Sequence, residues 1–473
     1  MSQVRDNSAD PSSDQVDASE LIAQHLADRS YADLPAGVVA AVKASILDTL
    51  GCIIAGTSSA DVITISSMVL DWGGAPTCTI LGSGGVKLPP MSAAFINGAA
   101  IHQYDFDDVH DTVTCHPTAS SLVPALTAAE QKKGVSGKEL ILAVALGSDL
   151  TCRVSRAVVG AHGHPWYRAP VVGMFGATAA AGKVLGATAT QFVEAFGLAL
   201  PQIGGTYASL HSTGSSVRSI RDGLAYRNGF LAAQLAMRGI RGDPDVFDGK
   251  YGFYQAYYKG AYNRSRLLEG LGQDYETANV SLKPWPSARH LHTTMTAVLD
   301  IMTEQSLSFR DIAEVTFDVG RFNTGRCEPV TAELQSNHID LLSNLPFSVA
   351  AAIRHGNVPL NVYLDAALID DAVKTALPKV KWRYNPEQDG DWRFEPGRVE
   401  IRAVGGQIYR ALCKTALGHP DNPMTEAQRH EKFVRCVAVA ARPMSGTRAS
   451  AVIDMVGKLD RCDDIGMMLE LVA

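Results

Sequence analysis

Helical periodicity at both ends of the chain, interrupted by a strand-bearing stretch, is the feature that most restricts the fold. From Ala18 onward, apolar residues recur at one-face spacing, with Leu21, Ile22 and Leu26 on one side. The pattern returns over 38–54, 63–72, 91–102, 120–134, 137–154, 169–185, 189–200 and 223–239. Gly73-Gly-Ala-Pro and Gly82-Ser-Gly-Gly punctuate it. Strand alternation becomes clear at Ile312-Ala-Glu-Val-Thr-Phe-Asp-Val and again at Arg398–Val404, which Gly405-Gly turns back into Gln407–Cys413 as a hairpin. Residues 346–354 and 365–375 read as helices between them, and helical spacing resumes over 432–439 and 449–471. Ends that share one texture predict a discontinuous helical domain, 18–275 plus 416–473, carrying an inserted α/β lid over 276–415. The predicted class is therefore α+β, mostly α, with a smaller α/β insert. Residues 1–17, polar and acidic, read as a disordered tail.

Length and composition agree with two domains. The chain has 473 residues, 46% hydrophobic and 19% charged, enough to fill two cores. A net charge of −7 argues against a nucleic-acid binder, and any anionic ligand would need a local cluster of Arg and Lys. Eight cysteines (52, 78, 115, 152, 327, 413, 436 and 462) include no CxxC pair, which removes zinc knuckles and thioredoxin-type chemistry. Scattered thiols, no run of 18 uninterrupted apolar residues and no basic-then-apolar N-terminus lead us to expect a cytoplasmic protein with no membrane association.

Several nucleotide and hydrolase motifs fail. Gly176-Ala-Thr-Ala-Ala-Ala-Gly-Lys-Val is one residue too long for a phosphate loop and lacks the closing Ser or Thr. GxGxxG after a strand, GxSxG and HExxH are absent.

The densest chemistry lies in 102–118, where Asp105, Asp107, Asp108, His110, Asp111 and His116 follow an apolar helix. Such groups are costly near a core unless paired or used. Three readings compete: proton transfer by His with an orienting carboxylate, a metal site, and helix capping by Asp107 or Asp108. Further candidates are His162-Gly-His-Pro-Trp-Tyr-Arg, with Tyr167 and Arg168 at a helix entrance, and Ser215–Gly223 with Arg218 and Arg221, running on to Arg227 as a carboxylate clamp. Lys283-Pro-Trp-Pro-Ser-Ala-Arg-His-Leu-His reads either as an anion site or as a rigid connector with a basic face.

Ala93-Ala-Phe-Ile-Asn-Gly-Ala-Ala-Ile-His, Tyr-Asp-Phe-Asp-Asp-Val-His and Cys-His-Pro-Thr-Ala-Ser resemble the MmgE/PrpD family, as do Gly173-Met-Phe-Gly-Ala-Thr, Ala225-Tyr-Arg-Asn-Gly, Lys283-Pro-Trp-Pro-Ser and Leu345-Pro-Phe-Ser. That family includes 2-methylcitrate dehydratase, cis-aconitate decarboxylase and iminodisuccinate epimerase. The resemblance implies a homodimer and chemistry on small di- or tricarboxylic acids without cofactor or metal. It matches Asp105 and His116 to the family's site aspartate and histidine, His110 to a histidine common in it, and Lys283 to its lid-side lysine. The chain departs from the pattern at Arg218, where Lys is frequent, at Tyr167-Arg168, where His is frequent, and at Val109.

The expectation is a proton abstracted next to a carboxylate. His116, oriented by Asp105, moves it; His110 or Tyr167 supplies a second acid–base group; Arg218 and Lys283, with Arg168 and Arg221, hold the substrate. Dehydration of the 2-methylcitrate type ranks first, ahead of epimerisation and decarboxylation. The non-enzymatic alternative is a carboxylate-binding relative that has lost turnover.

Overall fold

The computed structural model describes residues 16–160, 165–210, 215–330, 338–364, 371–389 and 394–473. Among the described residues, nine helices of eleven residues or more form the N-terminal part of the larger core: α1 Ala18–Asp28, α2 Ala36–Gly56, α3 Ala60–Trp72, α4 Pro90–Ile101, α5 Pro117–Lys132, α6 Gly137–Arg156, α7 Arg168–Leu185, α8 Ala189–Ala199 and α9 Val217–Met237. One apolar cluster runs from Ala18 through Tyr275 and takes in Phe433, Val437, Val452, Leu469 and Val472 from the other end of the chain. A second cluster, from Trp285 to Ile401, fills the insert. The discontinuous helical body with an inserted α/β lid is the observed architecture.

The lid sheet has the order β4 (Val380–Tyr384), β3 (Ile312–Val319), β5 (Gly397–Ala403), β6 (Ile408–Cys413). β3 pairs with β4 in parallel, while β5 pairs antiparallel with both β3 and β6, the expected hairpin. Alternate residues Ile312, Val315, Phe317 and Val319 are buried, so the sequence pattern is the packing pattern. Helices His292–Glu304 and Leu345–His355 pack against this layer. A small hairpin, β1 Cys78–Thr79 with β2 Lys87–Leu88, was not expected from sequence. The expected helix 449–471 is two helices, Gly446–Gly457 and Gly466–Val472.

Asp17, placed by sequence in the tail, is instead the buried cap of α1: it accepts from Ser19 N at 2.7 Å and from Asp248 N at 2.7 Å. Of the rest of the tail, residues 1–15 lie outside the described residues, as do His162, His164 and 365–370. Helix α2, at 21 residues, is long and apolar enough to cross a membrane by length and composition. Val42, Ile46, Leu50, Ile53 and Ile54 are buried in the core, which accounts for its composition.

Close packing sets the spacing that the site depends on. Gly98 of α4 faces Gly223 of α9, and a Cβ built on Gly98 would lie 2.8 Å from the Gly223 Cα. The two helices cross without intervening side chains, which brings the start of α9 next to the end of α4.

Body and lid are joined by a buried ion pair. Arg289 of the lid donates to Asp111 of the body from Nε (3.1 and 3.2 Å) and Nη2 (3.0 Å), and to the Leu417 carbonyl at 2.8 Å. Arg289→Met should lower stability by about 3–5 kcal/mol, because Asp111 is left buried and unpaired. Adding Asp111→Leu should recover part of that loss, as read from thermal and urea unfolding of the two variants.

Candidate functional site

The loop after α4 carries the site. Asp105 sits in the left-handed region at φ 47°, a conformation that Asp tolerates better than most side chains. Its carboxylate is buried and receives both Arg218 Nη2 and Lys283 Nζ; Lys283 also donates to the Asp105 carbonyl at 2.9 Å. Burial pushes its pKa up, yet Lys283 and then Arg218 prevail and hold it well below the usual carboxylate range. Arg218 comes from the first turn of α9, at the Gly98–Gly223 crossing. Lys283 arrives from the lid side, positioned by a backbone bridge in which Val109 N donates to Ser281 O (3.0 Å) and Ser281 N to Val109 O (2.8 Å).

Asp107, not Asp105, is the carboxylate beside His116. His116 Nδ1 donates to the Asp108 carbonyl at 2.7 Å, with Asp107 Oδ2 at 2.9 Å. A carbonyl only accepts, so Nδ1 carries the proton and Nε2 is left as the reactive nitrogen. His102 Nδ1 donates to Asp107 Oδ1 at 2.8 Å, and its Nε2 accepts from Arg218 Nη2 at 3.2 Å. The expected Asp105–His116 dyad is thus replaced by a chain running Arg218–His102–Asp107–His116. The backbone turn at Asp105 explains the difference, since it sends that side chain toward the cations.

The electrostatics separate the two imidazoles. Burial disfavours the charged form of both. In His116 the adjoining Asp107 outweighs burial and raises the pKa, whereas in His102 burial wins and lowers it. Asp107 itself, despite burial, is held well below the usual range by His116 and His102. His102 therefore acts as a neutral link and His116 as the group able to exchange a proton near neutrality.

Asp108 is the cap of α5: it accepts from Thr118 N at 2.9 Å and Ala119 N at 3.4 Å. With His116 at the N-cap and Pro117 opening the helix, α5 fixes the histidine backbone. Behind the loop, buried Lys432 of helix Glu426–Ala438, the first helix after the lid, donates to the Phe106 carbonyl at 2.6 Å and pairs with Asp48 at 2.6 Å.

The other candidates make their contacts outside the Asp107–His116 pair. His110 Nε2 lies 3.1 Å from Glu276 Oε2 and its Nδ1 3.2 Å from Thr112 Oγ1, so both nitrogens are engaged away from His116. Tyr167 is buried, and burial raises its pKa to about 12 against the influence of Arg221 and Arg218. Arg221 stacks on its ring at 4.0 Å and donates to Ser209 at 2.7 Å. Arg168 lies against Tyr258. Arg227 bonds Asn228, and of the three arginines Arg218 is the one bonded to Asp105. Within the lid motif, Arg289 is committed to Asp111 and His292 to Ser287 at 3.0 Å.

His102, Asp107 and His116 also offer three ligand atoms within 4.8 Å of one another. A metal ion held through His116 Nδ1 would have to displace the proton that this nitrogen gives to the Asp108 carbonyl. Sequence reasoning missed His102 and Asp107 as working members; the His-x4-Asp spacing at the end of an apolar helix was their only signal.

A helical body with an inserted lid, and cations of α9 and the lid meeting on one buried aspartate, form a two-part architecture with its centre at the junction. The chain belongs to the MmgE/PrpD family: residues 20–265 match the MmgE/PrpD N-terminal domain and 285–455 the C-terminal domain. It is 26% identical to a cis-aconitate decarboxylase-like protein of Aspergillus oryzae, over 93% of this chain and 94% of that protein. It is also 26% identical to the cis-aconitate decarboxylases of Homo sapiens (95% and 91% covered) and Aspergillus terreus (93% and 92%).

Asp107→Asn should move the His116 inflection to lower pH. The carboxylate is what raises that pKa, so its loss leaves burial to lower it. Following the ring protons of His116 by NMR through the titration checks the direction; an unmoved inflection would refute the pairing. Lys432→Met should cost about 3–5 kcal/mol of stability by stranding Asp48, measured by thermal unfolding.

Proposed function

We propose that this chain is a lyase of small polycarboxylic acids in which His116 moves the proton and Lys283 with Arg218 receives a substrate carboxylate. One observation carries the reading. An imidazole fixed through Nδ1, with Nε2 unbonded among the described residues, stands next to two buried cations that already grip a carboxylate, that of Asp105.

Loss of CO2 is the outcome we place first, ahead of the dehydration favoured by the sequence. Three relatives matched over nearly their whole length are named as decarboxylases or decarboxylase-like. The raised pKa of His116 suits a donor of protons to carbon. The bond to the departing carboxylate breaks, its electron pair enters the conjugated system, and His116 Nε2 delivers the proton that completes the product.

Dehydration is the second reading, and Tyr167 favours it. With its pKa raised to about 12, the phenol keeps its proton at neutral pH and could hand it to a leaving hydroxide, while neutral His116 takes the proton next to a carboxylate. Arg218 cannot serve as that acid, because a guanidinium does not release its proton in this range.

Proton NMR in D2O with cis-aconitate, 2-methylcitrate, citrate and iminodisuccinate tests the assignment. Decarboxylation predicts a product one carbon shorter carrying one solvent deuteron; dehydration predicts loss of hydroxide; deuterium entering substrate without net reaction would mean epimerisation instead. His116→Ala should reduce kcat by about 10²–10⁴-fold, and unchanged turnover would end the mechanism. Loss of activity in EDTA would transfer the site to metal chemistry.

A further inference from the structure

The group Lys283–Asp105–Arg218 places two cations on one carboxylate, leaving a single positive charge for a ligand. A second charge stands on the lid. Arg326 is pinned at both ends of its backbone: its N–H donates to the Asn323 carbonyl at 2.9 Å, and its carbonyl accepts from Leu345 N at 2.9 Å. Its guanidinium stacks over Phe322 at 4.4 Å and gives one Nη1 bond to the Phe322 carbonyl at 3.2 Å. The Nε is enclosed and has no hydrogen-bond partner among the described residues, a costly arrangement for a charged donor. Glu395, an acid close enough to influence it, has its oxygens on the backbone N–H groups of Gly320 (2.7 Å) and Asn323 (3.2 Å).

The surroundings point this cation toward the site. Arg326 lies within electrostatic reach of Tyr207, Arg218 and Asp105. Tyr207 meets Tyr167 edge to face at 6.0 Å, and Tyr167 carries Arg221. Phe322 also meets His290 edge to face, at 5.3 Å between rings, in the same segment as Lys283. Burial and then Arg326 hold the His290 pKa well below its usual value, so the imidazole is neutral and can donate or accept without adding charge.

We infer that Arg326 forms a second carboxylate subsite on the lid, with the neutral His290 beside it, so that the ligand is an acid whose carboxylates are held by opposite walls of the site. This rests on the lyase reading above and deepens it. Arg218 and Lys283 grip one carboxylate; the fork of Arg326 takes another, satisfying the Nε that is now unpaired. Arg326 is then the specificity determinant that separates polycarboxylates from monocarboxylates of the same chain length.

Binding of tricarballylate, a tricarboxylate with no double bond or hydroxyl to react, should be compared with binding of butanoate by calorimetry or ligand-observed NMR. Arg326→Gln should weaken tricarballylate by about 10- to 100-fold and leave butanoate unchanged. Arg326→Lys, which keeps the charge and loses the fork, should fall between. With whichever acid is turned over, R326Q should raise KM far more than it lowers kcat. If R326Q and R326K, folded by their melting curves, both bind tricarballylate as wild type does, the subsite is overturned even where turnover is seen. The reverse outcome, a strong R326Q effect on tricarballylate with no acid of the panel turned over, would sustain the subsite and sink the lyase reading.

Discussion

A carboxylate held out of water by two cations from separate parts of the fold is the interaction on which this structure turns. Removing Asp105 from solvent is unfavourable on its own, and Arg218 and Lys283 would each be costly if buried alone. Together the three groups are stable only when α9, the loop after α4 and the lid are all in place. The electrostatic centre is therefore also a joint. Its second fastening, Arg289 on Asp111, is chemically the same device placed on the outer side of the same loop. Between them the Val109–Ser281 bridge fixes the register of body against lid.

The division of labour among adjacent acids follows from this geometry. Asp105, Asp107 and Asp108 share one stretch of chain, yet they face a cation pair, an imidazole pair and a helix N-terminus. Each carboxylate is thereby matched to a different kind of donor. His102 connects the first two groups through one neutral ring, with Arg218 on its Nε2 and Asp107 on its Nδ1.

Alternation made the lid strands β3 and β5 legible, while the central helices α4–α7 are buried almost all round and were legible from their density of small and apolar residues. β4 was not legible: Val380 is its one buried residue, and Lys381, Trp382, Arg383 and Tyr384 are all exposed, so no alternation marks it. At the site, residue types and their crowding located the right loop and the cations Arg218 and Lys283. Sequence could not assign the partners. Which of two acids two residues apart meets His116 depends on a single left-handed turn, and spacing carries no trace of it. His110 looked as suitable as His116 until Glu276, 166 positions away in sequence, proved to hold it. Arg326 belongs to no motif; its interest comes from what surrounds it in space.

Lys432 gives the fold a temporal order. The loop that bears Asp105 and Asp107 is complete early in synthesis, but the ammonium that fastens the Phe106 carbonyl lies on a helix more than three hundred residues later. Until that helix is made, Asp48 lacks its cation and the core lacks Phe433 and Val437. During that interval the loop has its acids and not its fastening. The anchorage of the site loop therefore waits on a helix made near the end of the chain, with Gly446–Gly457 and Gly466–Val472 still to follow it.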